Sequence, residues 1–199
     1  MAKQISFRIS QRENGSFKVE PSSNFLIAKD LKNPLVCPYG VEESNYDDVK
    51  KHHVNLLVDN IVSDIKLKEE ALLKAIEECP EFKEKYDIEN MDYKPIIRER
   101  DGKCFIRVGF NKYTELTKVV GNKVSKLKPE NIKADSKLYG TWSVGIYCMN
   151  GCYGFYLTTK AATVKLGNKD PEKKRSIIDL IHEEMGCKKV RIQEYKSSE

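Results

Sequence analysis

In the stretch Lys94-Pro-Ile-Ile-Arg-Glu-Arg100, the residues Lys94, Ile96, Arg98 and Arg100 share one parity. In KCFIRVGF (103–110), Lys103, Phe105 and Arg107 fall on one face and Cys104, Ile106, Val108 and Phe110 on the other. Successive residues of a strand point to opposite faces. The second set therefore reads as core and the first as a surface that mixes cations with a ring. Single-stranded nucleic acid calls for that mixture, because phosphates need Lys or Arg and unpaired bases need a ring to stack on. YGTWSVGIYCMNGCYGFYLTTKAATV (139–164) follows the same logic. Trp142, Val144, Ile146 and Cys148 take one parity and belong inside, while Ser143, Gly145, Tyr147 and Met149 take the other. On the return, Tyr156, Thr158 and Lys160 line up opposite in sense to Phe155 and Leu157. Gly145 and Gly154 are small enough for a backbone or a flat base to come close. For any single tyrosine a place in an ordinary strand is the plainer account; the joint pattern favours binding.

Other chemistry finds little support. The chain has no G-x-x-x-x-G-K-[ST] phosphate loop, no G-x-G-x-x-G and no H-E-x-x-H. His52 and His53 are adjacent, so in a strand they point apart and do not readily serve one metal or one reaction. A Cys37–His52 nucleophile pair is conceivable, yet nothing around it resembles an activated thiol. Cys148 and Cys152 flank a turn as zinc-knuckle ligands would, but a structural zinc site wants a close second pair. Cys37, Cys104 and Cys187 stand alone, and the six cysteines read as reduced, mostly buried thiols. The expectation is a non-enzymatic protein without metal or cofactor.

The elements that position these residues follow from length and periodicity. A chain of 199 residues suits one domain, and no apolar run approaches the roughly 18 residues of a membrane span. The start, MAKQISFRISQRENGS, has no apolar signal core, so an intracellular protein is expected. Asp64–Asp92 holds five Lys against ten Asp/Glu, and Lys94–Lys165 holds fourteen Lys/Arg against five Asp/Glu. The acidic block is helix-like: Leu72, Ala75, Ile76 and Cys79 recur at helical spacing, and Pro80 stops or kinks the run. The basic block is strand-like, which suggests a sheet face held ready for polyanions.

Strands are predicted in KQISFRIS, SNFLIAKD, HHVNLLVDNIV and YTELTKVV. Hairpins are predicted around Asp101-Gly102 and from Thr141 to Lys165. KNPLVCPYGVEESNYDD and GNKVSKLKPENIKADSK read as loops. Asp170, Pro171 and Gly186 bracket a last helix, and CKKVRIQEY adds a strand. The expected fold is α+β, one domain over 1–199: a small antiparallel Greek-key barrel with helices as an insertion at about 64–92 and a C-terminal addition at about 170–186.

SVGIYCMNGCYGFYLTTKAATV resembles the closing hairpin of oligonucleotide-binding (OB) fold single-stranded DNA-binding proteins of tailed phages and large cytoplasmic DNA viruses. CFIRVGFNKYTEL is similar to their earlier core strand, and NPLVCPYGV to their Pro-aromatic-Gly loop. The resemblance implies an OB-like barrel and nucleic acid beside Arg98, Lys103, Phe105, Arg107, Lys112, Tyr113, Tyr147 and Tyr156. Lys94, Arg100 and Lys160 join this set from the pattern alone. It further implies a viral protein of host cytoplasm or nucleus, acting on single-stranded DNA in replication, recombination or repair. Many members end in an acidic tail that recruits replication proteins, whereas this sequence ends VRIQEYKSSE; the acidic helix is the candidate substitute. RNA binding, a structural or protein-interaction module with a basic assembly face, and oligomer formation remain open readings.

Overall fold

Short alternating segments become strands wherever one parity is apolar, and the computed structural model bears this out over the residues it describes: 5–28, 33–46, 49–120 and 123–167. The helix expected at about 170–186, the strand after it and Cys187 lie outside these residues. In chain order the elements are β1 (Arg8–Gln11), β2 (Phe17–Glu20), β3 (Leu26–Ala28), β4 (Leu35–Cys37), β5 (Val41–Tyr46) and β6 (Val49–Leu57). Then come α1 (Val62–Glu77), α2 (Pro80–Lys85), β7 (Asp92–Lys94), β8 (Ile97–Arg100), β9 (Lys103–Gly109) and β10 (Glu115–Val120). β11 (Lys123–Lys126), β12 (Ser136–Met149) and β13 (Cys152–Lys165) complete the described part. This is a mostly β fold with one main helix, and so α+β.

β1 and β2 pair with each other, and the other eleven strands join one sheet. Within it β4 pairs with β6, β6 with β9, β9 with β13, β13 with β12, and β12 returns to β4. The circuit of hydrogen-bonded pairings is therefore closed. One expectation needs correction: the sheet is not wholly antiparallel, because β13 runs parallel to β7, β9 and β10. The helices lie between β6 and β7, on the connection that carries the chain from β6 back to the edge of β13.

Two segments read as loops contain strands. Pro38 and Gly40 mark the short turn between β4 and β5, with Gly40 at φ 78°; their punctuation belongs to a turn only three residues long. The basic segment after β10 supplies β11, an exposed edge strand. β2 and β7, of four and three residues, went unexpected because so few alternations leave no signal. The Asp101-Gly102 turn is as expected, with φ of 52° and 68°, the primed hairpin geometry that favours this pair.

Trp142, Leu138, Val54, Leu56, Ile106, Val108 and Val164 are buried in the core that α1 joins through Ile65, Leu72 and Ile76. Pro80 does not kink α1; the helix ends at Glu77 and Pro80 opens α2 at its first turn, where a missing N–H is harmless. One buried carboxylate ties α1 to the sheet. Glu69 accepts hydrogen bonds from the Tyr93 hydroxyl and from the Ile96 backbone N–H (2.7 Å). Burial, then this carboxylate, pushes the Tyr93 phenol well up. Glu69→Ala is expected to destabilise the fold by about 1–3 kcal/mol, since it leaves both donors without their partner; a denaturant titration measures it.

Candidate nucleic-acid interface

The β12–β13 hairpin sorts its faces by parity. Trp142, Val144, Ile146, Phe155 and Leu157 are buried, while Tyr147 is half-buried and Tyr156 is 51% exposed. The register then adds what spacing alone hides. Gly145 lies directly opposite Tyr156, and Gly154 directly opposite Tyr147. Each ring lies across the glycine facing it: a Cβ on Gly145 would meet the Tyr156 hydroxyl at 2.5 Å, and one on Gly154 would meet the Tyr147 hydroxyl at 3.0 Å. Aromatic rings covering glycines in this way shield the backbone and hold the ring against the sheet.

The two glycines have different second neighbours, which separates their roles. On Gly145 the obstacle is the exposed Tyr156 ring, whereas on Gly154 the Lys94 carbonyl oxygen is 2.6 Å from the added Cβ. Gly145→Ala is therefore expected to displace Tyr156 and weaken oligonucleotide binding with little change in melting temperature. Gly154→Ala is expected to strain the β7–β13 pairing and lower the melting temperature. Paired thermal melts and oligo-dT titrations read both.

Beside this hairpin the strands β6, β9 and β8 pair in register, with His53 opposite Gly109, Asn55 opposite Arg107, and Arg98 opposite Phe105. Between them and the hairpin runs a groove of about 990 Å³. Its wall carries Lys50, Lys51, Arg98, Arg107 and Lys112, and no carboxylate among the described residues, with Tyr147 and Tyr156 along one side. Glu42 lies behind it. Its carboxylate contacts His53 Nε2 (3.1 Å), accepts from Asn55 (2.9 Å) and faces Arg107 at 3.8 Å.

The cations press on one another. Burial and then the facing Arg107 lower the Arg98 pKa. His53 is lowered by burial first, then by Arg107, with Arg98 adding to it, against the pull of Glu42. Two guanidiniums and an imidazole that disfavour each other's charge make a site that an anion would relieve. The pH consequence has a definite sign. His53 in the fold is held below its ordinary value of 6.5, so its contribution to stability is intact above that pH. As pH falls below it, the unfolded chain takes up a proton that the fold resists, and stability declines until the folded value is passed. A phosphate in the groove acts oppositely and raises His53. Affinity for a polyanion is thus expected to rise as pH falls through the range in which His53 takes up its proton, and His53→Gln is expected to flatten that rise.

The structure brings Arg98, Arg107, Lys112, Tyr147 and Tyr156 to one groove. Tyr113, 76% exposed, and Lys160 line a neighbouring cleft that also includes Tyr156. Lys94 is exposed at the end of β7 and pairs with Asp92 at 3.4 Å. Arg100 and Lys103 sit opposite each other beside the β8–β9 turn, away from the groove lining. Phe105 requires correction. It shares the face of Arg107 but is only 4% exposed, because Tyr39 in the β4–β5 turn packs over it with ring centroids 5.8 Å apart. Arg100 in turn stands 5.7 Å from the Tyr39 ring. A ring so covered offers no stacking surface. Sequence reasoning missed Lys50, Lys51, His53 and Glu42: Lys50 and Lys51 precede the expected strand HHVNLLVDNIV, and Glu42 fell in a segment read as a loop.

The alternatives fare as follows. Cys37 donates its thiol to the Gly40 carbonyl (3.2 Å), and burial pushes it up to about 12. His52 is engaged with Glu43 at 3.1 Å, so the conceivable Cys37–His52 nucleophile is not assembled. Cys148 is pushed up to about 11 by burial. Among the described residues no three His, Cys, Asp or Glu side chains are grouped to hold a metal ion, and no helix is long and apolar enough to cross a membrane.

No family model matches the chain, and no curated protein matches it in sequence. Among solved structures it is similar to the single-stranded DNA-binding protein gp2.5 encoded by bacteriophage T7, with a TM-score of 0.44 and 15% identity over 69% of this chain and 93% of that one. A likeness this slight assigns neither fold nor function.

Proposed function

We propose that this chain binds single-stranded DNA without sequence preference on an OB-type barrel, and serves DNA replication, recombination or repair in a viral setting. The observation that carries the reading is the groove itself, where Tyr147 and Tyr156 stand beside Arg98, Arg107 and three lysines. Rings for bases next to cations for phosphates are the two terms of sequence-tolerant single-strand binding. The closed circuit β4–β6–β9–β13–β12 supports the barrel: it is five-stranded, and the groove lies over its second and third strands, the face that such barrels use for oligonucleotides. The acidic outer face of α1, with Glu70, Glu77 and Glu78 exposed, is the candidate contact for replication proteins.

A labelled oligo-dT titration tests the reading. With four to six phosphates neutralised, log K against log salt should fall with a slope of about −3 to −4. A slope near zero, or no binding, would leave the basic face to protein assembly instead. Competition by poly-U separates DNA from RNA preference, because a 2′-hydroxyl contact would favour the latter.

A further inference from the structure

We infer that the single-strand track does not end at Tyr156 but continues into a second cleft, whose outer wall is the β1–β2 hairpin. The inference rests on the proposed single-strand reading and adds a second subsite to it. The second cleft, about 870 Å³, lies on the outer face of the same β12–β13 hairpin, with Ser143, Gly145 and Thr158 among its lining residues. Tyr156, Thr158 and Asn111 border both cavities. A chain leaving the first groove over the Tyr156 ring therefore enters the second directly.

The chemistry of the second cleft repeats that of the first. Arg12, Lys18 and Lys160 supply cations, Tyr113 an exposed ring, and Glu20 is the only carboxylate among its described lining residues. Glu20 bridges Lys18 of the same wall at 2.7 Å and accepts from the Ser10 hydroxyl at 2.9 Å, and Lys18 first and Ser10 next hold it below its ordinary value. Lys18 thus shares its charge with Glu20, while Arg12 and Lys160 supply the uncompensated cations. Arg12 has no carboxylate partner among the described residues. The phosphates of a strand would meet these cations at the rim while its bases reach the Tyr156 and Tyr113 rings.

The wall is also fixed in place, as a subsite requires. Val144 donates its backbone N–H to the Ser22 carbonyl (2.9 Å), tying the end of the hairpin to β12. At the other end Lys85 of α2 donates to the Gly15 carbonyl (2.6 Å), and Phe17 packs edge-on against Phe82 at 4.9 Å. α2 thus braces the hairpin from behind, leaving Arg12 and Lys18 facing the cleft.

The test uses the full chain, the double variant Arg12→Ala/Lys18→Ala, and oligo-dT of two lengths near the ends of the range of about 4 to about 16 nucleotides that one such barrel covers. Arg12 is exposed and Lys18 half-buried, and the Lys18–Glu20 bridge is a surface pair worth little, so the variant should melt close to the wild type. The expected result is a several-fold loss of affinity for the long oligonucleotide, with a salt slope shallower by about 1.4 for two lost phosphates, and no change for the short one. Equal loss at both lengths, or no loss at the long one, overturns the second subsite while leaving single-strand binding intact. Failure of the wild type to bind either length overturns the single-strand reading itself, and the subsite with it.

Discussion

Removing both rings, Tyr147→Ala with Tyr156→Ala, is expected to lower oligo-dT affinity by about 1–3 kcal/mol for each lost stack while the protein stays folded. The two effects are unequal for a physical reason. Against the sheet each ring contributes only a cross-strand pair with the glycine opposite, on the order of 0.2–1 kcal/mol. Against an unpaired base it contributes an entire stacked face. Tyr156, 51% exposed, should show the cleaner separation. Tyr147 is half-buried, and burial raises its phenol although Arg98 pulls the other way, so its removal should cost somewhat more stability. Fluorescence titration and thermal melting of the two single variants and the double variant resolve the terms. If the double variant loses its melting transition while affinity per folded molecule persists, the rings are structural cover and binding rests on charge alone.

Parity alone made the faces of this hairpin legible, because fourteen-residue strands carry enough alternations to leave one assignment. The same holds for Asp101-Gly102, whose positive φ values few residue pairs tolerate, and for α1, whose buried positions Ile65, Leu72 and Ile76 repeat at helical spacing. What escaped was long-range. Phe105 has the parity of a surface residue, and only the return of Tyr39 over it removes it from the surface. That turn comes from more than sixty positions earlier in the chain, in a segment whose prolines and glycine read as a loop. The Gly145–Tyr156 and Gly154–Tyr147 oppositions depend on register, which a two-residue turn fixes but composition does not announce. Glu42 and His53 meet through β5–β6 pairing, and Arg107 joins them only through β6–β9. A site assembled from six separate strands is visible in pieces before the pairing is known, and as a site only afterwards.

The inner face of the hairpin makes the opposite prediction. Trp142 is 0% exposed and sits where β12 pairs on one side with Leu26 of β3 and on the other with Thr159 of β13, at the bulge of the β12–β13 ladder. Trp142→Ala is expected to destabilise the fold by about 3–5 kcal/mol, through lost burial and the cavity left behind. That is a large share of the 5–15 kcal/mol that holds a typical domain together. For a chain of 199 residues it corresponds to a melting temperature lower by roughly 6–20 °C. Trp142→Phe should cost much less. The indole Nε1 is buried without a hydrogen-bond partner among the described residues, so a phenyl ring gives up volume but no hydrogen bond. Below the melting transition, affinity per folded molecule should match the wild type in both variants, because Trp142 and the two tyrosines lie on opposite faces of one strand pair. Thermal melts beside oligo-dT titrations at a temperature where each variant is fully folded decide it. Loss of affinity in the folded Trp142→Phe protein would mean that the inner packing sets the position of the rings, and that the two faces act as one unit.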